Sequence, residues 1–230
     1  MKVIKPHYAI LIDWGGKEYI YKKLERIGRI CYKSEANITE ESAEKFIRNL
    51  IKRGHEAMLE HSGLTVIFTV DRGISHELVR HRLASFAQES TRYCDYSKDK
   101  FDHQLTFIKP FYLDERSVEY ADWRKVMEEA EKQYLELISL GCTPQEARAV
   151  LPNSLKTEIA VTANFREWRH ILKLRAAGTT GKPHPQMEEI MIPLLMDLKH
   201  EFPAIFDDIP VPDTGYYFVN SESNVTKIKE

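Results

Sequence analysis

The order of β-type and helical runs restricts this chain's fold most. Runs rich in β-branched and apolar residues occupy 3–12, 64–71 and 157–163. Between the first two lie helical patterns at 19–30 and just after Thr39, where Ala43, Phe46, Ile47, Leu50 and Ile51 share a face and Gly54 is the stop. Between the second and third come a short helix from Ile74 to about Arg80 and a long amphipathic pattern over 114–140. A capped turn of helix follows, opened by Thr143-Pro144-Gln145-Glu146. Helical patterns at 166–175 and 187–202 follow the third run, joined by a loop over 176–183. Strands therefore do not alternate one for one with helices, which counts against a doubly wound parallel sheet. The pattern predicts an α+β fold: a modest, mostly antiparallel sheet flanked by helices.

Finer expectations follow from the same spacing. Val118, Trp123, Val126, Met127, Tyr134, Leu135 and Ile138 should face inward on the long helix. Ile190, Met191, Leu194, Leu195 and Leu198 should do so on the last one. No repeat or linker divides the 230 residues, so one domain over 1–230 is expected, with 203–230 as a peripheral tail.

Composition narrows the function. A hydrophobic share of 43% and a charged share of 30% belong to a soluble globular protein. A net charge of −2 argues against bulk attraction to nucleic acid or membrane, so any anion site must be a local cluster of arginine and histidine. Cys31, Cys94 and Cys142 are odd in number and far apart, which fits a reducing cytoplasm. Residues 1–8 lack the apolar run of a signal peptide, and no stretch approaches ~20 apolar residues. His55 and His61 are six apart where a helical zinc pair needs four. Adding His76 and His81 gives no ligand spacing either, so no metal is expected.

The chemistry concentrates in Arg80-His81-Arg82-Leu83-Ala84-Ser85-Phe86-Ala87-Gln88-Glu89-Ser90-Thr91-Arg92. Guanidinium groups bind phosphate through paired, charge-assisted hydrogen bonds, and hydroxyls add neutral ones. In an extended segment Ser90 and Arg92 would address one ligand, and Arg80 and Arg82 would share a face. Read alone, the stretch also suits a non-catalytic nucleotide-binding regulatory module. Its full pattern, Arg-His-Arg-x-x-Ser-x-x-x-x-Ser-x-Arg, resembles without a gap the signature of the flavin-dependent thymidylate synthases. The resemblance extends roughly over 29–189 and includes the Gly54-His55 to Glu60-His61 segment and Asn164-Phe165-Arg166 with His170.

That resemblance implies reductive methylation of dUMP to dTMP, with 5,10-methylenetetrahydrofolate as carbon donor, FAD as cofactor and NADPH as reductant. It implies flavin contacts from Ala57, Arg80, His81, Arg82, Gln88, Asn164, Phe165, Arg166 and His170. Contacts to dUMP are implied for Glu77, Leu78, Val79, Arg80, Gln88, Glu89, Ser90, Thr91, Arg92, Arg148 and Arg175. Arg175 would stabilise the pyrimidine ionised at N3, and Ser90 would polarise the nucleotide by hydrogen bonding. Cys94 has nothing beside it in the sequence to activate a thiolate, and the family uses no cysteine. A homotetramer with active sites shared between subunits is implied as well.

Overall fold

The computed structural model describes residues 1–12, 15–216 and 218, and the backbone of 224–227. Helices combine with a mostly antiparallel sheet, as an α+β chain should. The chain forms two compact units. The first comprises Met1–His7, Phe68–Arg80 and Phe86–Ala160; the second comprises Tyr8–Ile67, His81–Ser85 and Val161–Glu230.

The opening run is two strands rather than one, β1 (Lys2–Ile4) and β2 (His7–Ile12). Pro6 stands in the break and has no N–H for a ladder. β1 pairs in parallel with a short strand at Thr106–Ile108, numbered β5 below. The larger sheet is built from β2, β3 (Gly63–Asp71), β4 (Ala84–Gln88), β6 (Lys156–Asn164) and β7 (Asn224–Lys227). Its order is β4-β6-β3-β2-β7, with β7 parallel to β2 at one edge. Strands β3, β4 and β6 each contribute residues to both units.

The first unit carries α3 (Arg72–Leu78), α4 (Val118–Ser139) and α5 (Pro144–Ala147). Its core gathers Tyr96, Leu105, Phe107, Met127, Tyr134 and Leu155. α4 starts later than its pattern suggests, because Ser117 caps it by accepting the Tyr120 N–H (3.1 Å). Its buried row is Tyr120, Met127 and Tyr134, one residue per two turns, while Val118 and Val126 are 74% and 59% exposed. Apolar residues surround much of this helix, so spacing alone did not reveal which narrow stripe is covered. The expected capping box at Thr143 and Glu146 is formed.

The second unit carries α1 (Gly16–Ile30), α2 (Ser42–Lys52), α6 (Phe165–Arg175), α7 (Pro185–Glu201) and α8 (Pro203–Phe206). All five residues expected inward on α7 are buried. Phe165 packs edge-on against Phe202 and Phe206, and Trp168 donates its indole N–H to the Leu64 carbonyl (3.0 Å). Each such aromatic contributes about 2–3 kcal/mol of burial. Gly63 allows a close approach: a Cβ there would lie 2.2 Å from the Ala163 carbonyl oxygen. The end of β6, and with it Asn164, is thereby set against β3. The expected peripheral tail is not peripheral at its start, since Ala204, Ile205, Phe206 and Ile209 are buried. The part of that expectation falling on 217, 219–223 and 228–230 lies outside the described residues.

Candidate active site

The boundary between the units runs through the signature: Arg80 closes a segment of the first and His81 opens a segment of the second. Each half is built by its own elements.

In the first unit, β3 ends at Asp71, whose Oδ1 accepts the Ile74 N–H (2.9 Å) and starts α3. α3 and the turn after it carry Glu77, Leu78, Val79 and Arg80. Leu78 is buried in the core, so it can offer a ligand only its backbone; Arg80 is exposed. Gln88 ends β4, and its amide donates to Ser75 Oγ (2.9 Å) and Thr157 Oγ1 (3.2 Å). Glu89 is held by protein partners. Its carboxylate accepts from Tyr96 OH (3.0 Å), from Lys156 Nζ (2.9 Å) and from its neighbour strand's Glu158 N–H (3.2 Å). Burial and this Glu89 contact push the Tyr96 phenol up. The Lys156 ammonium also lies above its usual range: burial works against its charge, but Glu158 and Glu89 outweigh that.

Ser90 to Arg92 does not continue the strand. The chain turns, with Ser90 Oγ accepting the Arg92 N–H (3.3 Å) and the Ser90 carbonyl accepting from Tyr93 and Cys94. The extended geometry expected for this pair is thus replaced by a hydroxyl-stabilised turn. Arg80 and Arg82 also sit in turns rather than on one extended face. Thr91 is buried, and its hydroxyl oxygen accepts from Arg148 Nη1 (3.3 Å), 57 residues away. Exposed Arg92 lies over the Tyr93 ring (5.4 Å to the centroid). Ser90, Thr91, Arg92 and Arg148 therefore form one cationic, hydroxyl-bearing loop cluster, which suits a phosphate dianion.

In the second unit, Asn164 caps α6 by accepting the Glu167 N–H (2.9 Å). A cavity of about 540 Å³ opens beside that helix start. Expected Asn164, Arg166 and His170 line it, with Glu56 and Glu60 of the 54–61 segment; Leu83, Lys173 and Glu167 join them without having been singled out in the sequence. Arg166, His170 and Lys173 recur at helical spacing, a signal that could have exposed Lys173. Glu167 carried no such signal, because its meaning depends on tertiary contacts. Arg166 pairs with Glu60 (2.5 Å), and Lys173 with Glu56 (3.5 Å). Ala57 lies in the exposed 3-10 turn Glu56–His61 that brings these acids in. Phe165 is fully buried and can reach a ligand only through its backbone.

Arg169 sits behind the cavity, 1% exposed. It donates to Asp208 (2.6 and 2.8 Å), to Glu56 (3.0 Å) and to the Ile205 carbonyl. Those contacts hold both the Asp208 and the Glu56 carboxyls below the usual range, against burial.

His81 is buried and accepts a hydrogen bond at Nε2 from Arg175 Nε (3.1 Å). Its Nδ1 faces Glu167 Oε1 at 3.8 Å, and its ring meets His170 edge-on. Burial first, then the Arg175 guanidinium and the neighbouring His170, push the imidazole down to about 4, so it is neutral at pH 7. Burial raises the Glu167 carboxyl, with His170 opposing.

The cavity's volume falls within the range of ligand pockets, and a helix start beside arginine, histidine and lysine suits a dinucleotide's phosphates. The residues present therefore fit a flavin nucleotide. Among the described residues, no group of three or more His, Cys, Asp or Glu could hold a metal ion. None of their helices is long and apolar enough to cross a membrane.

Comparison with known proteins agrees with this chemistry. The family profile described as thymidylate synthase complementing protein matches residues 19–204. The flavin-dependent thymidylate synthase of Corynebacterium aurimucosum is 34% identical over 215 residues, covering 87% of this chain and 85% of that one. Its counterpart from Pyrococcus furiosus is 37% identical over 171 residues, covering 73% and 64%. Among solved structures, a UMP/dUMP methylase from Streptomyces cacaoi bound with 5-Br dUMP superposes with a TM-score of 0.73 at 20% identity. That match covers 90% of this chain and 96% of that one, and it supports the fold.

Proposed function

The chain belongs to the flavin-dependent thymidylate synthase family, and from that membership we propose that it makes dTMP by reductive methylation of dUMP. The observation that carries the reading is the loop cluster in which Thr91 and Arg148 meet beside Ser90 and Arg92, inside an ungapped family signature. Ser90, Arg92 and Arg148 bind the nucleotide phosphate. Gln88 is fixed by Ser75 and Thr157, so its orientation is set before the nucleotide arrives. Backbone groups of Leu78 and Val79, with Glu77, Arg80, Glu89 and Thr91, complete the nucleotide contacts. Arg175 faces the pyrimidine and favours its N3-ionised form, because a fixed cation where negative charge develops lowers the barrier.

Arg80, His81, Arg82, Asn164, Arg166 and His170 hold FAD, with Ala57 and Phe165 contributing backbone groups. Bound flavin supplies the hydride that takes the transferred one-carbon unit to the methyl level. 5,10-Methylenetetrahydrofolate is the carbon donor and NADPH the reductant, in a cytoplasmic homotetramer with shared sites. The test is dTMP formation from dUMP by the purified yellow protein with both co-substrates. Product that requires all three additions is expected; no dTMP from flavin-loaded protein contradicts the reading.

A further inference from the structure

Glu167 is 6% exposed, has no role assigned above, and faces the histidine that accepts from Arg175. The protonation pattern of that contact is dictated by chemistry. An arginine does not give up its proton, so Nε–H of Arg175 must be the donor and Nε2 of His81 the acceptor. A doubly protonated ring would set two cationic donors against each other at 3.1 Å. His81 therefore keeps one proton, on Nδ1, and Nδ1 faces Glu167 Oε1 at 3.8 Å. Glu167 and Arg175 belong to the same helix, eight positions apart, and Asn164 fixes the Glu167 turn by accepting its N–H. Side chains on a helix lean toward its N-terminus, so Arg175 leans back along α6 to His81. His170, edge-on to His81, is the other titratable group in the cluster.

We propose that Glu167 is a positioning residue: it orients the Nδ1–H of His81, and through that ring it sets the plane of the Arg175 guanidinium for the pyrimidine. The link from His81 to Arg175 is geometry; the benefit to the pyrimidine rests on the function proposed above. The arrangement parallels second-layer carboxylates that fix a histidine's tautomer in other sites. Committing Nε–H inside the protein leaves the guanidinium plane fixed before substrate binds, which is preorganisation rather than added charge.

The test uses the flavin-loaded protein labelled with ¹⁵N-histidine, in parent, Glu167→Gln and Glu167→Ala forms. The parent should show His81 Nδ1 protonated and Nε2 bare, without titrating between about pH 6 and 8. Glu167→Ala should let the two nitrogens average and lower kcat for dTMP, measured with saturating FAD, by about tenfold, the worth of one charge-assisted contact, with KM for dUMP unchanged. Glu167→Gln should recover most of that rate, because its amide oxygen still presents a negative dipole to Nδ1–H. Protonation of Nε2, a charged ring at pH 7, an alanine variant with the parent kcat, or a glutamine variant no better than alanine would each overturn the proposal. An alanine variant that failed to fold would leave the parent spectrum and the glutamine rate to decide it. Were the parent to make no dTMP, the function would be refuted, and the ¹⁵N spectra alone would decide the Glu167–His81 contact.

Discussion

At the scale of single residues, the two arginines thought to meet the nucleotide should fail differently. Arg92 belongs to the turn proposed to bind the phosphate, so Arg92→Ala should raise KM for dUMP by about tenfold or more with a smaller effect on kcat. Arg175 is proposed to act where charge develops, so Arg175→Ala should slow single-turnover dTMP formation by at least that factor under saturating dUMP. Arg175→Lys should restore part of it by keeping a cation. Equal KM effects from both alanine variants would contradict this division. His81 makes a second prediction, about pH. Its folded value of about 4 lies below the ordinary 6.5, so the unfolded chain takes the proton first as pH falls. Stability from this group is whole above about 6.5 and is lost as pH falls toward 4, by about 3 kcal/mol in all. Glu167, shifted upward, gives a little back at the acid end. Urea unfolding should show about 2 kcal/mol of this loss between pH 7 and pH 5, and His81→Gln should flatten it; an unchanged slope would refute it. The signature residues were legible as a linear pattern. Glu167 was not, because its meaning lies in a contact with a residue 86 positions earlier.

At the scale of elements, α6 serves the core and the cavity at once. Phe165, Trp168 and Leu172 face inward, while Arg166, His170 and Lys173 line the cavity. Arg169 ties the helix to the turn carrying Glu56 and to Asp208. Arg169→Ala would leave those acids without their cation and should cost about 3 kcal/mol, read as a lower urea midpoint. A loss under about 1 kcal/mol would mean that water already screens the cluster. Strands and helices were largely readable here because their periodicity is local. The capping residues Thr143 and Glu146 also announced themselves. What periodicity could not supply was which stripe of α4 is covered, or that Ser90 to Arg92 turns under the pull of a serine hydroxyl. The burial of 204–209 was hidden for a similar reason: a proline-marked run looks like a tail until its partners on α2 and α7 are known.

At the scale of the whole molecule, the residues proposed to bind ligand are scattered from 57 to 175, and each unit holds its own share of them. α4 presents Val118 and Val126 to solvent in the single chain. The proposed tetramer of 26.9 kDa subunits, which rests on the family resemblance, should appear in sedimentation, and a fully active monomer would contradict it. The most direct measurement of the central claim is tritium release from [5-³H]dUMP by the flavin-loaded protein, with 5,10-methylenetetrahydrofolate and NADPH present. Methylation at C5 must expel that hydrogen, so tritium should appear in water in step with dTMP and only when the folate is added. Retention of tritium in the nucleotide, with the flavin reduced and all substrates present, would contradict the assignment.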